Sequence, residues 1–424
     1  MAQPSMYKVY NSNLNNVLRG LVERVFYVRK NGLLVKPPRP LSRSHFGTRM
    51  SQFKRLLVSS VVAPTPVSRD EFVGLYRGRL QAIYRNAVLS LNSGGYSHEY
   101  AELKTFVKCE KTDFLRKKDP VPRVIQPRHP CYNVELGRYL KLAEKPVFKG
   151  IRKIFGSPTV LKGMNAEVQA SVMKSKWDGF SRPVALGLDA SRFDQHISDI
   201  ALEWEHSLYL SWYPSAKLRG LLSRQVRNKG RAYCPDGVIK YRTLGCRSSG
   251  DMNTSLGNCI IMCGLVYSYM LEIGIKYELC NNGDDCVLMF ESEHLSRVTV
   301  PLQSWFLSMG FTMTVEEPVY EFELIQFCQT SPIYGPNGYV MVRDIHVALA
   351  KDCLSLKPLD SRGAYEKYLS VFSEGGLALA SGIPVWQSFY RCLQKAGKGK
   401  YGRARSDMIT SSGFYHLSSG MSPR

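Results

Sequence analysis

Two adjacent carboxylates occupy the middle of YELCNNGDDCVLMF, residues 277–290, where two β-rich arms flank Asn282-Gly283. Asn-Gly between alternating apolar residues is a strong hairpin signal, so we predict a hairpin with Asp284 and Asp285 at its turn. The two charges repel each other, and the apolar arms offer nothing to compensate them. A cation is therefore a natural partner, and a polar turn in solvent is the alternative interpretation.

A second acidic element precedes the hairpin in the chain. The short apolar segment PVALGLD, residues 183–189, predicts a buried strand that ends in Asp189, and Asp194 follows within DASRFD. If the hairpin pairs beside this strand, Asp189 and Asp284 converge and can hold two hard cations about 3.5–4 Å apart, as phosphoryl transfer requires. The alternative is that Asp189 caps the helix that follows.

A polar segment, SSGDMNTSLGN, lies between the two acidic elements. It places Ser249-Gly250 in a turn and Thr254 and Asn258 four residues apart, on one face of a helix. Small hydroxyl groups and an amide beside paired carboxylates suit the recognition of a sugar. An ordinary capped start of a helix is the alternative.

The charge distribution agrees with an acidic site inside a basic protein. The 424 residues include 57 Lys and Arg against 35 Asp and Glu, a formal charge of +22. Residues 1–153 hold 29 basic and 10 acidic side chains, whereas residues 154–394 hold 22 and 24, and residues 395–424 hold 6 and 1. A cationic lobe attracts a polyanion by neutralising phosphates, although a solvated basic surface is an equal alternative.

The elements that must position these residues follow from pattern. We expect an irregular, proline-rich stretch to about residue 67, then a helix that starts with the capping-box spacing of Ser68 and Glu71 and stops at residues 92–95. Further expectations are a helix near residues 197–212, a basic strand-like insert at residues 226–247 and a long helix at residues 252–271.

Other sequence features limit the class of protein. Eleven cysteines without a CxxC pair argue against disulfides and structural zinc and predict a reducing compartment. The longest uncharged apolar stretch, residues 259–271, is shorter than the roughly 20 residues of a bilayer span, and we expect neither a secretory leader nor a membrane segment. The absence of GxxxxGK[ST] disfavours a P-loop motor.

The three polar elements, in this order and spacing, resemble motifs A, B and C of the RNA-dependent RNA polymerases of positive-strand RNA viruses. The segments TFVKCEKTDFLRKKDPVPRVIQPRHPCYNVELGRYL, FDQHIS, ALEWEHS, GCRSSGDMNTSLGNC and EFELIQFCQ are similar to the plant tombusvirus and carmovirus family specifically. This resemblance covers nearly the whole chain, from about Tyr7 to about Tyr390.

The resemblance implies an α+β, right-hand polymerase with fingers, an antiparallel palm sheet and a thumb. Its expected divisions are an N-terminal extension and basic fingers at residues 1–182, with motif F near 104–128, and a palm at residues 183–335 that carries motifs A, B, C and E. A fingers insertion near residues 205–245 interrupts the palm, and residues 336–424 form the thumb and a basic C-terminal tail.

The resemblance also assigns roles to residues. Asp189, Asp284 and Asp285 become catalytic metal ligands for two Mg²⁺ ions, which Mn²⁺ can replace, with Asp285 the least essential. Ribose and NTP binding falls to Asp194, Ser249, Gly250, Thr254 and Asn258. Contacts to the triphosphate and template fall to Lys108, Lys111, Arg123, Arg128 and Lys162, and support of the primer end to Phe327, Cys328 and Gln329.

The implied activity is RNA synthesis from NTPs on a single-stranded viral RNA, with the nascent RNA as a second nucleic-acid partner. The family also implies host factors, a membrane-anchored viral replication protein and recruitment to membrane-bound complexes in the host cytoplasm. Two departures stand out: an upstream replication region is expected but not seen, and no motif D lysine lies between Lys276 and Lys351. Arg343, Lys351 or water is left to protonate the pyrophosphate.

Two other protein classes remain as alternatives. A reverse transcriptase is the nearest enzymatic one, but such enzymes usually carry a bulky side chain where Asp194 lies. A basic RNA-coating protein would suit the cationic lobe but would leave Asp189, Ser249 and Asp284 without a purpose.

Overall fold

The computed structural model describes residues 7–115, 118–356, 359–397 and 417–421. Most of the predicted basic tail, residues 398–416 and 422–424, lies outside the described residues. So do residues 116–117 of the expected motif F.

The N-terminal third is mainly helical, with short strand pairs between the helices. Its helices are α1 (Leu14–Leu21), α2 (Arg43–Ser60), α3 (Arg69–Gly74), α4 (Gly78–Gly94), α5 (Pro130–Leu140), α6 (Glu144–Phe155) and α7 (Ala166–Trp177), and a π-helical turn, Val22–Phe26, continues α1. Its strands are β1 (Tyr7–Lys8), β2 (Val28–Lys30), β3 (Leu33–Val35), β4 (Leu103–Lys104), β5 (Phe106–Val107), β6 (Thr112–Asp113) and β7 (Val124–Ile125).

The central third surrounds one four-stranded sheet. The strands of this third are β8 (Pro183–Ala190), β9 (Arg227–Cys234), β10 (Gly237–Leu244), β11 (Tyr277–Asn282), β12 (Asp285–Glu291) and β13 (Met313–Val315). Of these, β8, β11, β12 and β13 form the four-stranded sheet. The helices of this third are α8 (Phe193–His196), α9 (Asp199–Trp212), α10 (Ala216–Val226), α11 (Thr254–Ile273) and α12 (Leu295–Ser308). The C-terminal third adds the hairpin β14 (Thr330–Gly335) and β15 (Gly338–Arg343) and the helices α13 (Ile345–Lys351), α14 (Arg362–Ala380) and α15 (Pro384–Ala396).

The central sheet has the strand order β11-β12-β8-β13, and every neighbouring pair is antiparallel. Both of its faces are covered. Residues such as Leu186 and Leu288 pack into the main core with α2, α9 and α11, whereas Ala185 and Val287 pack into a second core with α7 and β15. Burial on both faces explains why β8 and β12 read as continuous apolar runs.

The structure confirms the predicted strand and hairpin. The strand β8 spans Pro183–Ala190, and β11 and β12 pair from Tyr277–Phe290 to Asn282–Asp285 around a two-residue turn. Gly283 in that turn has φ 91°, a conformation that glycine adopts without strain. The predicted helices near residues 197–212 and 252–271 are α9 and α11, and the basic insert contains β9 and β10.

The expectation of an irregular chain to residue 67 is wrong. Ser42 caps α2 by accepting a hydrogen bond from the His45 backbone, and Phe46, Met50, Phe53 and Leu57 form a fully buried stripe at helical spacing. The nearest prolines, Pro40 and Pro64, lie outside the helix and do not prevent it.

The helix predicted after Ser68 is also only partly correct. Ser68 and Glu71 form the predicted capping box, and the chain leaves the helix at Gly95, which has φ 71°. The helix is interrupted, however, between Gly74 and Gly78, so two helices stand where one was expected.

Helix α11 is the one helix within the described ranges that is long and apolar enough to cross a membrane. It packs inside the protein, and 83% of its most apolar window is buried. Its composition therefore matches its place in the main core.

Candidate active site

Two acidic elements meet at one end of the central sheet. Asp189 near the end of β8 lies directly opposite Asp285 at the start of β12, and Asp284 occupies the adjoining turn. Directly paired antiparallel residues share a face and keep their Cβ atoms about 4.5–5.5 Å apart. Carboxylates 95 and 96 positions apart in sequence are therefore neighbours in space. Asp189 caps no helix, because the N-caps of α8 and α9 are Arg192 and Ser198.

The electrostatics of this end of the sheet are those of a crowded acidic cluster. Partial burial and the charge of Asp284 raise the pKa of Asp189. Burial also raises the pKa of Asp285, with smaller contributions from the charges of Asp284 and Asp189. The carboxylates repel one another, and a cation placed among them would relieve that repulsion.

The predicted primer-end turn touches this cluster directly. The backbone N–H of Cys328 donates to Asp285 Oδ2 at 3.0 Å, and the amide of Asn282 donates to Cys328 Sγ at 3.0 Å. Cys328 and Gln329 both have left-handed φ values, 53° and 61°, whereas Phe327 is buried in the second core. The strained turn therefore orients the carboxylate of Asp285, a contact that the sequence did not predict.

Glu316 is a fourth acidic group that pattern alone did not assign to the site. A Cβ atom on Gly187 would lie 1.9 Å from Glu316 Oε2, so the absence of a side chain at Gly187 lets this carboxylate lie against β8, two residues before Asp189. Burial and the charges of Asp285 and Asp189 raise the pKa of Glu316. The acidic segment FTMTVEEPVYE contains Glu316, but the sequence pattern did not indicate where in the fold this residue would lie.

The predicted sugar-recognition residues gather beside the acidic cluster. Asn258 on α11 donates from Nδ2 to Asp194 Oδ1 at 2.8 Å. Ser249 lines the same cleft as Asp194 and Asp284. Thr254 donates its hydroxyl to the Ser248 carbonyl at 3.1 Å, so it shapes the loop that carries Ser249.

Gly250 permits a close approach between this loop and the segment after β7. Its φ of 123° lies in a region that side chains disfavour, and a Cβ there would come within 3.2 Å of Pro127. The Gln126 backbone N–H donates to the Ser249 carbonyl at 2.7 Å. The expected motif B loop is thus fixed against the expected motif F.

Four arginines line the cleft that contains Asp194 and Asp284: Arg24, Arg123, Arg192 and Arg247, of which Arg247 is fully buried. Arg123 was predicted, whereas Arg24 and Arg192 were not assigned a role. Arg24 donates to the Val121 carbonyl at 3.2 and 3.1 Å, and Arg192 donates to the Glu23 carbonyl. Burial, with the nearby charges of Arg192 and Arg123, lowers the pKa of Arg24 to about 10. A cluster of like charges held this way is suited to a multivalent anion.

The sequence gave unequal hints of these two arginines. Arg192 stands inside DASRFD between the two predicted acids, so its proximity could have been inferred. Arg24 lies in the π-helical turn of a stretch that was expected to be irregular.

Arg128 requires a correction. Its side chain is fully buried in an ion pair with Asp251, and its guanidinium also donates to Asn228 Oδ1 at 2.6 Å. A guanidinium enclosed in this way cannot reach a triphosphate or a template. The burial contradicts the predicted phosphate contact and makes Arg128 a structural link between the N-terminal region and the loop before α11.

The predicted lysines occupy three different environments. Lys108 forms an ion pair with Glu110 at 3.0 Å. Lys111 donates to the Lys351 carbonyl at 2.8 Å, so it engages the C-terminal region and not the cleft. Lys162 is exposed on the turn after Leu161, whose backbone N–H bonds to the Asn281 carbonyl of β11. Of these three, Lys162 is the one whose turn adjoins the strand that leads to Asp284.

Neither candidate for protonating the pyrophosphate lines the cleft. Arg343 forms an ion pair with Asp352 at 2.6 Å, and Lys351 lies near Lys111 and Arg343, where burial lowers its pKa. The structure therefore gives the role to neither residue.

Comparison with known proteins agrees with this geometry. A family model described as viral RNA-dependent RNA polymerase matches residues 1–424. The RNA-directed RNA polymerase of Tobacco necrosis virus (strain A) is 48% identical over 387 residues, covering 91% of this chain and 53% of the relative. The same enzyme of Turnip crinkle virus is 45% identical over 416 residues, 97% of this chain and 53% of the relative. That of Tomato bushy stunt virus (strain Cherry) is 45% identical over 386 residues, 91% of this chain and 47% of the relative.

The chain spans about half the length of the curated relatives it matches. The matches confirm the predicted similarity to tombusvirus and carmovirus polymerases. The chain belongs to the viral RNA-dependent RNA polymerase family.

Proposed function

We propose that the chain catalyses template-directed synthesis of RNA from NTPs by two-metal-ion nucleotidyl transfer, releasing pyrophosphate. One observation carries the proposal: Asp189 lies opposite Asp285 beside the turn of Asp284, and Asp284 lines a cleft together with Asp194, Ser249 and four arginines. Acidic groups that would bind cations, arginines that would bind phosphates and polar groups that would bind a ribose therefore lie close together.

The acidic cluster fits hard divalent cations. Its donors are carboxylate oxygens, which Mg²⁺ and Mn²⁺ prefer. Burial raises the pKa of Asp189, the charge of Asp284 raises it further, and a bound cation would offset both effects. No ready-made group of three or more His, Cys, Asp or Glu ligands occurs among the described residues. Mg²⁺ usually keeps water and substrate phosphate among its ligands, so Asp189 and Asp284, supported by Asp285, suffice as the protein's share.

Two bound ions would supply charge stabilisation for the attacking 3′-hydroxyl and for the leaving pyrophosphate. The chain's own residues do the positioning. Arg24, Arg123 and Arg192, which line the cleft together with Asp284 and Asp194, hold the triphosphate. Asp285 is held by the Cys328 N–H, which orients its carboxylate toward the shared face.

Ribose recognition falls to Asp194 in this proposal. Asn258 is the one hydrogen-bond donor to the Asp194 carboxylate among the described residues, so the remaining lone pairs can accept from a 2′-hydroxyl. A site built to bond a hydroxyl rejects the analogue that lacks it, because its buried polar groups then stay unpaired.

The proposal extends to architecture and partners. The central sheet corresponds to the palm (residues 183–335), the N-terminal region and the insertion near residues 205–245 to the fingers, and residues 336–424 to the thumb. The basic N-terminal region suits single-stranded template and nascent RNA. Resemblance alone supports a membrane-anchored replication protein, host factors and replication complexes on host cytoplasmic membranes.

Incubation of the chain with a plain RNA template, labelled NTPs and Mg²⁺ tests the proposal. We expect products of template length that require the matching NTPs and form with or without a primer. A product made from dNTPs in preference to NTPs would identify a reverse transcriptase, and RNA binding without any synthesis would identify a coating protein.

A further inference from the structure

A buried chain of polar contacts lies behind Asp194. Asn258 donates to Asp194 Oδ1, and Arg247 Nε donates to Asn258 Oδ1 at 3.2 Å. Arg247 is in turn paired with Glu205, and both side chains are 0% exposed. Asn258, Arg247 and Glu205 thus form a connected series of side chains that ends at the carboxylate of Asp194.

Arg247 determines which way the Asn258 amide points. A guanidinium only donates hydrogen bonds, so it requires the amide oxygen on its own side and thereby turns the NH₂ group toward Asp194. Without that donor the amide could rotate and present its oxygen to the carboxylate, which would remove the hydrogen bond from Asn258 to the Asp194 side chain. The Arg247 backbone N–H also donates to the Asp194 carbonyl at 2.9 Å, so the two residues are held together twice.

Glu205 makes this arrangement possible. A buried guanidinium without a counter-charge is strongly destabilising. Glu205 also accepts from the Tyr209 hydroxyl at 2.6 Å and from Asn253 Nδ2 at 2.9 Å, which fixes its carboxylate in place. Gly257 leaves room for the pair, because a Cβ there would lie 2.2 Å from Glu205 Oε1 and 2.5 Å from an Arg247 nitrogen.

We infer that Glu205 and Arg247 are positioning residues for selection of ribonucleotides, acting through Asn258 on Asp194. The inference rests on the proposed function, because it names residues that tune the same site. Neither residue lies at the acidic cluster, so the chemistry of nucleotidyl transfer can proceed when they are altered. The discrimination between NTP and dNTP is what should change.

The test compares kcat/KM for an NTP and its matching dNTP in wild type, Arg247→Lys and Glu205→Gln. Lysine keeps the positive charge beside Glu205 but lacks the Nε donor for Asn258. We expect the NTP preference to fall about tenfold, through a higher KM for the NTP and little change for the dNTP. A tenfold change corresponds to about 1.4 kcal/mol, the size of one charge-assisted hydrogen bond.

Glu135→Gln is the matched control. Glu135 is also a fully buried glutamate, held by Arg69 at 2.7 Å, but it lies on α5, away from the cleft. We expect this variant to lose thermal stability as Glu205→Gln does, while its NTP preference stays that of wild type. An equal loss of preference in the control would overturn the inference, since general loosening would explain both.

The double variant Asp194→Ala/Arg247→Lys completes the test. If Arg247 acts through Asp194, the double variant has the same NTP preference as Asp194→Ala alone, because the two changes disrupt one interaction. A folded Arg247→Lys protein with the wild-type preference, or additive losses in the double variant, would overturn the inference even if Glu205→Gln fails to fold. Equilibrium affinities for ATP and dATP, measured in Ca²⁺, give the same comparison without catalysis. If the wild type proves inactive, the proposed function is refuted, and the ratio of these two affinities in each variant still tests the inference.

Discussion

Asp284→Asn should make the protein more stable without metal and less responsive to metal. Burial raises the pKa of Asp189 and the charge of Asp284 raises it further; the substitution removes that charge and keeps the shape of the turn. A raised carboxyl pKa in the folded state means that folding loses stability as the pH rises through that pKa. Removing the charge that raises it restores part of that stability at neutral pH and nothing at a pH where Asp189 is protonated.

The magnitude follows from Coulomb's law. Two unit charges about 5 Å apart repel by about 0.8 kcal/mol in water and by about 3 kcal/mol at an effective dielectric constant of 20. Asp189 and Asp284 are both exposed, so the lower figure applies and we expect a gain of about 1 kcal/mol. In a protein of this size that is a rise of about 1 °C in Tm. Mg²⁺ at ten times its dissociation constant should stabilise wild type by about 1.4 kcal/mol, which reverses the order of the two proteins.

Thermal unfolding at pH 7.5, in EDTA and across a Mg²⁺ titration, measures both effects. Glu317→Gln is the control, since it removes an exposed charge that does not act on Asp189. The reasoning is refuted if Asp284→Asn is less stable than wild type in EDTA, or if Mg²⁺ stabilises the two proteins equally.

Two further predictions separate structural from functional arginines. Arg128→Met should lower the free energy of unfolding in urea by about 3–5 kcal/mol, because Asp251 is left as an unpaired buried charge. The KM for NTP should change little. Wild-type stability together with a raised KM would instead support the phosphate contact first predicted for Arg128. Arg24→Ala should raise the KM for NTP roughly tenfold in steady-state incorporation, through loss of a charged hydrogen-bond donor in the cleft. Equal KM values for Arg24→Ala and the exposed-surface control Arg152→Ala would contradict that assignment.

The central sheet was predictable because its signals are local and agree with one another. The strand at residues 183–189, the Asn-Gly turn and the apolar arms each specify their own geometry, and pairing of the hairpin beside the strand brings Asp189 to Asp285. Helix α11 was equally plain from its long apolar run. The family resemblance then predicted the roles of these residues, and the register of the sheet shows which of them are neighbours in space.

The missed features depend on packing that one sequence does not display. Helix α2 is flanked by prolines that dominated the pattern, although the buried stripe from Phe46 to Leu57 was visible at helical spacing. Arg128 lies in the most basic stretch, and its burial depends on Asp251, which is 123 residues away. Arg24 reaches the cleft through a π-helical turn that no local signal predicts. In each case a distant partner determines what the side chain does.

RNA synthesis by Asp284→Ala and Asp189→Ala, measured with labelled NTPs and Mg²⁺ alongside RNA affinity, tests the central claim most directly. We expect incorporation to fall below detection in both variants, while the affinity for single-stranded RNA stays within about twofold of wild type, because the basic N-terminal region is untouched. Continued synthesis by either variant would contradict the claim that these two carboxylates hold the metal ions of the reaction.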